Sequence, residues 1–336
     1  MLQFYTLFNN VNLKITIGKR SCLAKPGLRK NEKRYHDLKS FWLNLFGCRV
    51  YKLQIDAGFT CPNRDGKLSR GGCIYCDGRG SRLRQAGPLP SVSEQVRRGR
   101  EYYRRNRSAG KFIAYFQTFT NTYASIGRLK ELYNEALAEE DVIGIAVGTR
   151  PDCLPDDVIG LFQEYASDRH VWIELGLQSM HDKTLLSINR GHTVQAFLDT
   201  VERISKKGIN ICVHIIVGLP GESRDDIIKT AGTLAGLPVQ GIKIHSLLAL
   251  KGTVLGDLYE KGEISMMSRE DYATTVCDIL EVLPQEMVIQ RLTADGYSDI
   301  FLGPEWARNK MAVLNAIDRE LERRETYQGF HFKKNR

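Results

Sequence analysis

The sequence predicts an α/β fold, a partial (β/α)6 barrel similar to a TIM barrel, followed by an α/β extension at the carboxyl end. The first observation is a regular alternation of short β-rich runs and longer helical segments, which is typical of parallel strands joined by helical crossovers. The second is that polar and cysteine side chains follow several of the runs, where the active sites of such barrels lie. The third is the length of 336 residues, which suffices for one large α/β domain or two smaller ones.

The predicted elements follow one another along the chain. A helix comes first, over His36–Phe46, because Leu38, Trp42 and Leu45 recur at helical spacing. Six β-rich runs then predict strands, which are Val50–Ile55, Lys111–Gln117, Val142–Val147, Val171–Leu177, Asn210–Val217 and Gly241–Leu247. The segments between them that are long enough for helices are Ser91–Arg107, Ser125–Ala138, Pro155–Ala166, Val194–Lys206 and Arg224–Leu234.

The last part of the chain predicts an extension that packs on the barrel. Its elements are a helix over Arg269–Val282, a strand near Met287–Leu292 and a helix from Ala307 to about Arg324. We therefore expect three regions, a basic N-terminal extension (1–32), a partial barrel (33–265) and a C-terminal extension with a basic tail (266–336).

The net charge, the cysteine content and the distribution of apolar residues limit the possible classes of protein. The 48 basic and 39 acidic side chains give a net charge of +9, which favours a polyanionic partner, although many soluble enzymes are equally basic. Eight scattered cysteines lack the paired spacing of a disulfide framework, which favours metal binding in a reducing compartment. The N-terminus does not resemble a signal peptide, and no stretch reaches the ~18 apolar residues of a spanning helix. We expect a cytoplasmic protein without membrane contact.

The cysteines Cys61, Cys73 and Cys76 form the most informative motif, CPNRDGKLSRGGCIYC, just after the first predicted strand. Three thiolates leave one iron of a [4Fe-4S] cluster free to bind a substrate or a cofactor. A structural zinc site would need a fourth protein ligand, and cysteine is also among the most buried residue types. The spacing alone leaves an open cluster, a zinc site and three buried thiols as alternatives.

Five motifs together resemble the radical S-adenosylmethionine (SAM) superfamily, in the branch that is similar to the elongator catalytic subunit. They are DAGFTCPNRDG, AVGTRPDCL, ELGLQS, NRGHT and VGLPGES, and Tyr75 stands directly before Cys76. The eleven-residue spacing between the first two cysteines departs from the common three-residue spacing and is similar to that of this branch, and the five motifs together resemble its YhcC/YtqA-type members. The resemblance covers roughly residues 33 to 315, and five ordered motifs favour the open cluster.

The resemblance implies that Cys61, Cys73 and Cys76 hold a [4Fe-4S] cluster and that SAM binds the fourth iron. One electron then cleaves SAM to a 5′-deoxyadenosyl radical, which abstracts hydrogen from the substrate. The implied SAM contacts are Gln117, Thr118, Gln178, Arg190 and His214. Pairing at the barrel rim for Gln178 and Arg190, and a buried strand position for His214, remain alternatives. No catalytic side chain is assigned, and the roles of Arg150, Asp152, Glu174 and His192 stay open.

The resemblance also implies a substrate and partners. It implies tRNA modified at the C5 substituent of the wobble uridine, for example carboxymethylaminomethyl-uridine converted to aminomethyl-uridine. It further implies an electron donor such as flavodoxin or ferredoxin, with a methyltransferase as a possible partner. Two alternatives stay open, a radical SAM enzyme acting on a small molecule or a tetrapyrrole, and a non-catalytic zinc-binding RNA-interaction protein.

Arginines recur along one face of the predicted helix Ser91–Arg107 and form an arginine stripe. Its members are Arg97, Arg100, Arg104 and Arg107. Such a stripe, with Tyr102 and Tyr103 beside it, can neutralise phosphates and stack on a base. A solvated basic face explains the same residues.

Overall fold

The computed structural model describes residues 33–78, 88–295 and 299–333. The N-terminal extension expected over residues 1–32 and the last three residues of the basic tail lie outside the described residues. None of the helices in the described ranges is long and apolar enough to cross a bilayer.

The described strands form one large parallel sheet and one small antiparallel pair. In chain order they are β1 (Val50–Ile55), β2 (Lys111–Phe116), β3 (Val142–Thr149), β4 (His170–Gln178), β5 (Asn210–Val217), β6 (Gly241–Ser246), β7 (Ala249–Leu250), β8 (Val288–Arg291) and β9 (Phe301–Gly303). The large sheet has the order β1-β2-β3-β4-β5-β6-β8, and β7 pairs with β9. Every neighbouring pair in the large sheet is parallel, which confirms the predicted partial barrel.

Helices connect these strands. They are α1 (Leu38–Phe46), α2 (Val92–Arg107), α3 (Ile126–Leu137), α4 (Asp156–Tyr165), α5 (Asp182–Ser187), α6 (Val194–Ile204), α7 (Arg224–Ala235), α8 (Val254–Glu260), α9 (Arg269–Val282) and α10 (Lys310–Arg323). The hydroxyl oxygens of Ser91, Thr193, Ser223 and Ser268 cap four of them by accepting a backbone N–H from the first turn. These caps explain where the helices begin.

The strand expected near Met287–Leu292 takes a different place from the one that the sequence predicted. It is β8, which pairs with β6 in the barrel sheet, with Val288 opposite Gly241. A parallel neighbour requires a long crossover, and the segment between the two strands, including α8 and α9, supplies it. The barrel sheet therefore has seven strands, and the seventh comes from the region that we expected to be an extension.

The two faces of the sheet have different surroundings because side chains alternate along a strand. On the outer face, Phe116 of β2 packs against Tyr133 of α3, and both belong to the main core together with Phe112 and Leu129. On the inner face, an apolar plug fills the end at which the strands begin. It consists of Trp42 from α1 with Val50, Ile113, Tyr115, Ala146, Trp172, Cys212 and Val288. The interior of the barrel, its lumen, is thus closed at this end, and its polar groups lie toward the end at which the strands finish.

Candidate active site

The three cysteines lie in the loop after β1 and border one cavity of about 190 Å³. We call it the cysteine cavity. Backbone turns shape this loop, since the Cys61 carbonyl accepts from the Arg64 N–H at 2.8 Å and the Cys73 carbonyl from the Cys76 N–H at 3.0 Å. Gly72 has a φ of 83°, and a Cβ at this position would lie 2.8 Å from Nη1 of Arg64. Glycine is therefore favoured at this position, because the left-handed backbone strains any residue with a Cβ and the Arg64 side chain occupies the space.

Two asparagines fasten the cysteine loop to the NRGHT segment. Nδ2 of Asn63 donates to the Asn189 carbonyl at 2.6 Å and lies 3.6 Å from Sγ of Cys73. Nδ2 of Asn189 in turn donates to the Gly72 carbonyl at 2.8 Å. Within the described ranges, Oδ1 of Asn63 is buried without a hydrogen-bond partner. A buried acceptor of this kind is a site that a ligand can satisfy.

The donor set of the cavity consists of three cysteine thiols, which fits a four-iron cluster with one iron left open. A zinc ion draws all its ligands to one centre, whereas a four-iron cluster spreads its thiolates around several irons. Burial raises the pKa of the Cys76 thiol to about 12, and a coordinating metal removes such a proton.

Four of the five predicted SAM contacts border the same cavity. They are Gln117, Gln178, Arg190 and His214. Thr118 is buried but does not line this cavity, whereas its neighbours Phe119 and Thr120 do. Phe119 has a φ of 60°, which reverses the chain here. The structure therefore brings Gln117 to the site and leaves Thr118 behind it.

Arg190 and Gln178 are held in unusual local geometry. Nε and Nη2 of the buried Arg190 donate to the Gly176 carbonyl, and Nη1 lies 3.7 Å from Sγ of Cys73. Gln178 has a φ of 82°, beside a register shift between Gly176 and Gln178 in the pairing of β4 with β5. Left-handed backbone at a residue other than glycine is costly and concentrates at functional sites.

Gly176→Ala tests this arrangement, because the new Cβ would lie 2.8 Å from Nη2 of Arg190 and 2.9 Å from Nε2 of Gln178. Both atoms end flexible side chains, so we expect them to shift with little loss of stability. We predict weaker SAM binding by the reconstituted protein, measured by equilibrium titration. Gly160→Ala in α4 is the matched control, since no heavy atom lies within 4 Å of its Cβ and alanine favours a helix. Equal SAM affinity in the two variants would contradict the prediction.

The residues whose roles stayed open at the strand ends support the NRGHT segment. The guanidinium of Arg150, 2% exposed, donates to both carboxylate oxygens of Asp152 at 2.9 Å and to the Arg190 carbonyl at 2.8 Å. Nε2 of His192 lies 3.2 Å from the Gly176 carbonyl. Burial lowers the pKa of His192 to about 4, so the ring is neutral near pH 7. These side chains position Arg190 rather than stand free.

A buried network of charges lies below the cysteine cavity, on the inner face of the sheet. Glu174 accepts hydrogen bonds from the ammonium groups of Lys52 and Lys243 and from Nε2 of His214, the last at 2.9 Å. Nζ of Lys243 also donates to the Tyr115 hydroxyl at 2.9 Å. Burial lowers the pKa of His214 to about 4, so the neutral ring donates its Nε2–H to Glu174.

Most of this network was not predicted from the sequence. His214 was predicted as a SAM contact and Glu174 was noted without a role, whereas Lys52, Tyr115 and Lys243 were not predicted. A signal was present, because Lys52 lies between Tyr51 and Leu53 in β1, and Lys243 lies between Ile242 and Ile244 in β6. Charged residues are rare at buried positions of parallel strands unless they are paired.

The arginine stripe lies on α2 as predicted, but acidic neighbours pair with most of it. Arg97 binds Glu94 and Glu101, and both Arg100 and Arg104 bind Asp141. Exposed pairs of this kind contribute little to stability, yet they reduce the charge offered to phosphates. The solvated basic face therefore explains this helix better than an RNA-binding stripe does.

Comparisons with known proteins agree with this geometry. Residues 61–234 match the family model described as the radical SAM superfamily, and residues 239–323 match the radical SAM C-terminal domain. The chain is 45% identical to the protein YtqA of Bacillus subtilis, over 90% of this chain and 94% of that protein. It is 37% identical to YhcC of Escherichia coli, over 82% and 88% of the two chains.

More distant relatives share the fold. A tRNA uridine(34) acetyltransferase of Methanocaldococcus infernus is 23% identical over 47% of this chain and 30% of its own length. The solved structure of the archaeal Methanocaldococcus infernus Elp3 superposes with a TM-score of 0.62 at 16% identity, over 83% of this chain and 64% of that one. Family match, fold and relatives agree: the chain belongs to the radical SAM superfamily, whose enzymes use a [4Fe-4S] cluster and SAM.

Proposed function

We propose that this radical SAM enzyme modifies tRNA at the C5 substituent of a wobble uridine, for example by converting carboxymethylaminomethyl-uridine to aminomethyl-uridine. The observation that carries the proposal is that the cysteine cavity adjoins a second cavity of about 350 Å³ in the barrel lumen. We call this the lumen cavity. The likeness to a tRNA uridine(34) acetyltransferase supports tRNA as the substrate class.

The cysteine cavity provides what the two cofactors need from the protein. We propose that Cys61, Cys73 and Cys76 hold the cluster. When bound, cluster and SAM together supply a carbon radical that abstracts hydrogen from an unreactive carbon. Arg190 places a positive charge beside Cys73, 3.7 Å from its sulfur, which offsets the negative charge of the thiolates.

Gln117, Gln178 and His214 border both cavities. We propose that the two glutamines orient SAM on one side and the substrate on the other, which the reaction needs because the two carbons must meet directly. His214 is neutral and fixed by Glu174, so it offers polar contact without charge. The apolar plug keeps water from the closed end of the lumen, which strengthens the polar contacts made beside it.

Mass spectrometry of the nucleosides in bulk tRNA tests the proposal. We expect a strain without the gene to lose one modified uridine or to accumulate its precursor. The wild-type gene should restore the modification, and so should Cys153→Ala, whose side chain does not border the cysteine cavity. Cys73→Ala should not restore it. Unchanged modified uridines in the deletion strain would reject tRNA as the substrate and favour the small-molecule alternative.

A further inference from the structure

The lumen cavity has one wall of unusual character. Tyr75, Tyr115, Gln117, Gln178 and His214 are shared with the cysteine cavity. Beyond them the lining includes Lys243 and His245 of β6 and Arg291 at the end of β8. A ligand that extended from the cysteine cavity into the lumen cavity would therefore contact the cationic groups of Lys243 and Arg291 and the imidazole of His245.

The charges around this wall do not cancel. Glu174 is a single carboxylate, yet both Lys52 and Lys243 bind it. Arg291 lies 3.5 Å from Asp295, and Asp295 also binds Lys310 at 2.9 Å. Counting Lys52, Lys243 and Arg291 against Glu174 and Asp295 leaves one positive charge in excess. Two ammonium groups that share one buried carboxylate are incompletely balanced, and a buried excess charge is costly, so this site favours an anion.

A second observation marks the same wall. Nε2 of His245 is buried and has no hydrogen-bond partner within the described ranges. The ring lies beside His214, with 5.2 Å between the ring centroids. Burial lowers the pKa of His245, so the ring is neutral near pH 7. A neutral imidazole can donate one N–H to a ligand oxygen, which an anion bound at Lys243 would supply.

We propose that Lys243 and His245 bind a carboxylate of the substrate in the lumen cavity, so that Lys243 determines specificity for a uridine substituent that ends in a carboxylate. The inference rests on the proposed function only for the uridine part of the ligand. Lys243 is on the cavity wall, whereas Lys52 binds the same Glu174 without lining the cavity. The two lysines therefore have separable roles, Lys243 as a ligand contact and Lys52 as a support for Glu174.

The electrostatics of Lys243 agree with an anion site. Burial lowers the pKa of Lys243 to about 7, the Glu174 carboxylate opposes that shift, and the Lys52 charge adds to it. The charged and titratable groups around it are Lys52, Tyr115, Glu174, Cys212, His214, His245 and Arg291. A bound carboxylate stabilises the ammonium form, so affinity should be highest below pH 7. Above it, affinity should fall by up to about tenfold for each pH unit.

The test compares two nucleosides of the same shape, 5-carboxymethyluridine and 5-carbamoylmethyluridine, by calorimetric titration of the reconstituted full chain. We expect the wild-type protein to prefer the carboxylate about tenfold or more, the range of a charged hydrogen bond. Lys243→Met should abolish this preference, while Lys52→Met, which removes the same charge from the network but no group from the cavity wall, should weaken the preference without abolishing it. The wild-type preference should also fall between pH 6.5 and 8.5, roughly as the pKa shift requires, which keeps the test decisive if Lys243→Met folds poorly.

Other outcomes have fixed meanings. Equal affinity for the two nucleosides, or no binding of either, would overturn the proposal. Uridine 5′-monophosphate carries its charge on the sugar, and we expect it to bind no better than uridine; tighter binding would assign the site to a phosphate and reject the carboxylate. A carboxylate preference in a protein whose deletion changes no tRNA nucleoside would keep the lumen site and reject the proposed function, so the two can fail separately.

Discussion

Replacing Cys73 by alanine is expected to abolish binding of the iron–sulfur cluster. Cys73 is buried at the centre of the proposed ligand set, with Asn63 and Arg190 arranged around its sulfur at 3.6 and 3.7 Å. Two remaining thiolates would leave two irons without protein ligands, which destabilises a cubane of four irons. We expect iron content, the visible absorption of the cluster and reductive SAM cleavage to be lost after anaerobic reconstitution.

Cys153→Ala is the matched control for this experiment. Cys153 is a half-buried free thiol that lies outside the cysteine cavity, and burial raises its pKa to about 12. Its replacement should leave iron content and SAM cleavage unchanged. If the protein with Cys153→Ala lost the cluster and that with Cys73→Ala kept it, the proposed ligand set would be wrong. One zinc per chain in the wild-type protein, without SAM cleavage, would reject the proposed cluster itself.

Glu174→Gln is expected to cause a large loss of folding stability. The change leaves the buried ammonium groups of Lys52 and Lys243 without their shared counter-charge. Breaking a buried ion pair on one side costs about 3 kcal/mol or more. We expect the free energy of unfolding in urea at pH 7 to fall by about this amount.

The pH dependence gives the same prediction a second readout. Burial alone would raise the pKa of Glu174, but Lys243, Lys52 and the His214 hydrogen bond hold it well below its usual value. A depressed carboxyl pKa stabilises the fold above the unfolded pKa, and this stability is lost as the pH falls through the folded pKa. The wild-type protein should therefore lose this contribution in acid, and the variant should lack it throughout.

A surface ion pair provides the control for Glu174→Gln. Glu131 binds Arg128 on α3 at 2.7 Å, and both side chains are more than half exposed. Glu131→Gln should change the free energy of unfolding by less than about 1 kcal/mol. Adding Lys243→Met to Glu174→Gln should recover part of the loss, because one unpaired charge is removed. Equal stability of Glu174→Gln and the wild-type protein would show that the network does not support the fold.

The sequence motifs predicted the residues around the cysteine cavity better than those inside the barrel lumen. Cys61, Cys73 and Cys76 follow the first strand and meet Gln117, Gln178 and Arg190 at one cavity, as strand ends in a parallel barrel must. Thr118 is adjacent to Gln117, yet it does not line the cavity, and Phe119 after it has left-handed backbone. Local spacing does not specify such a turn, so only the folded chain separates these two neighbours.

The charge pattern along the chain was incomplete for a related reason. The arginine stripe on α2 is real in sequence, but Glu139 and Asp141, outside the helix, reach back to Arg100. The lumen network joins residues from β1, β2, β4, β5 and β6. Partners this far apart in sequence are chosen by tertiary packing, which a reading along the chain does not give.

Three features could be predicted from the sequence alone: the alternation of strands and helices, the position of the cysteine motif after the first strand, and the superfamily that the motifs indicate. These follow from hydrophobic periodicity and from spacing within short segments, which are local properties. The tertiary structure decided that β8 completes the barrel sheet and that Lys52, Glu174 and Lys243 meet inside it. Both depend on the curvature and register of the sheet, which bring together side chains that no local pattern links.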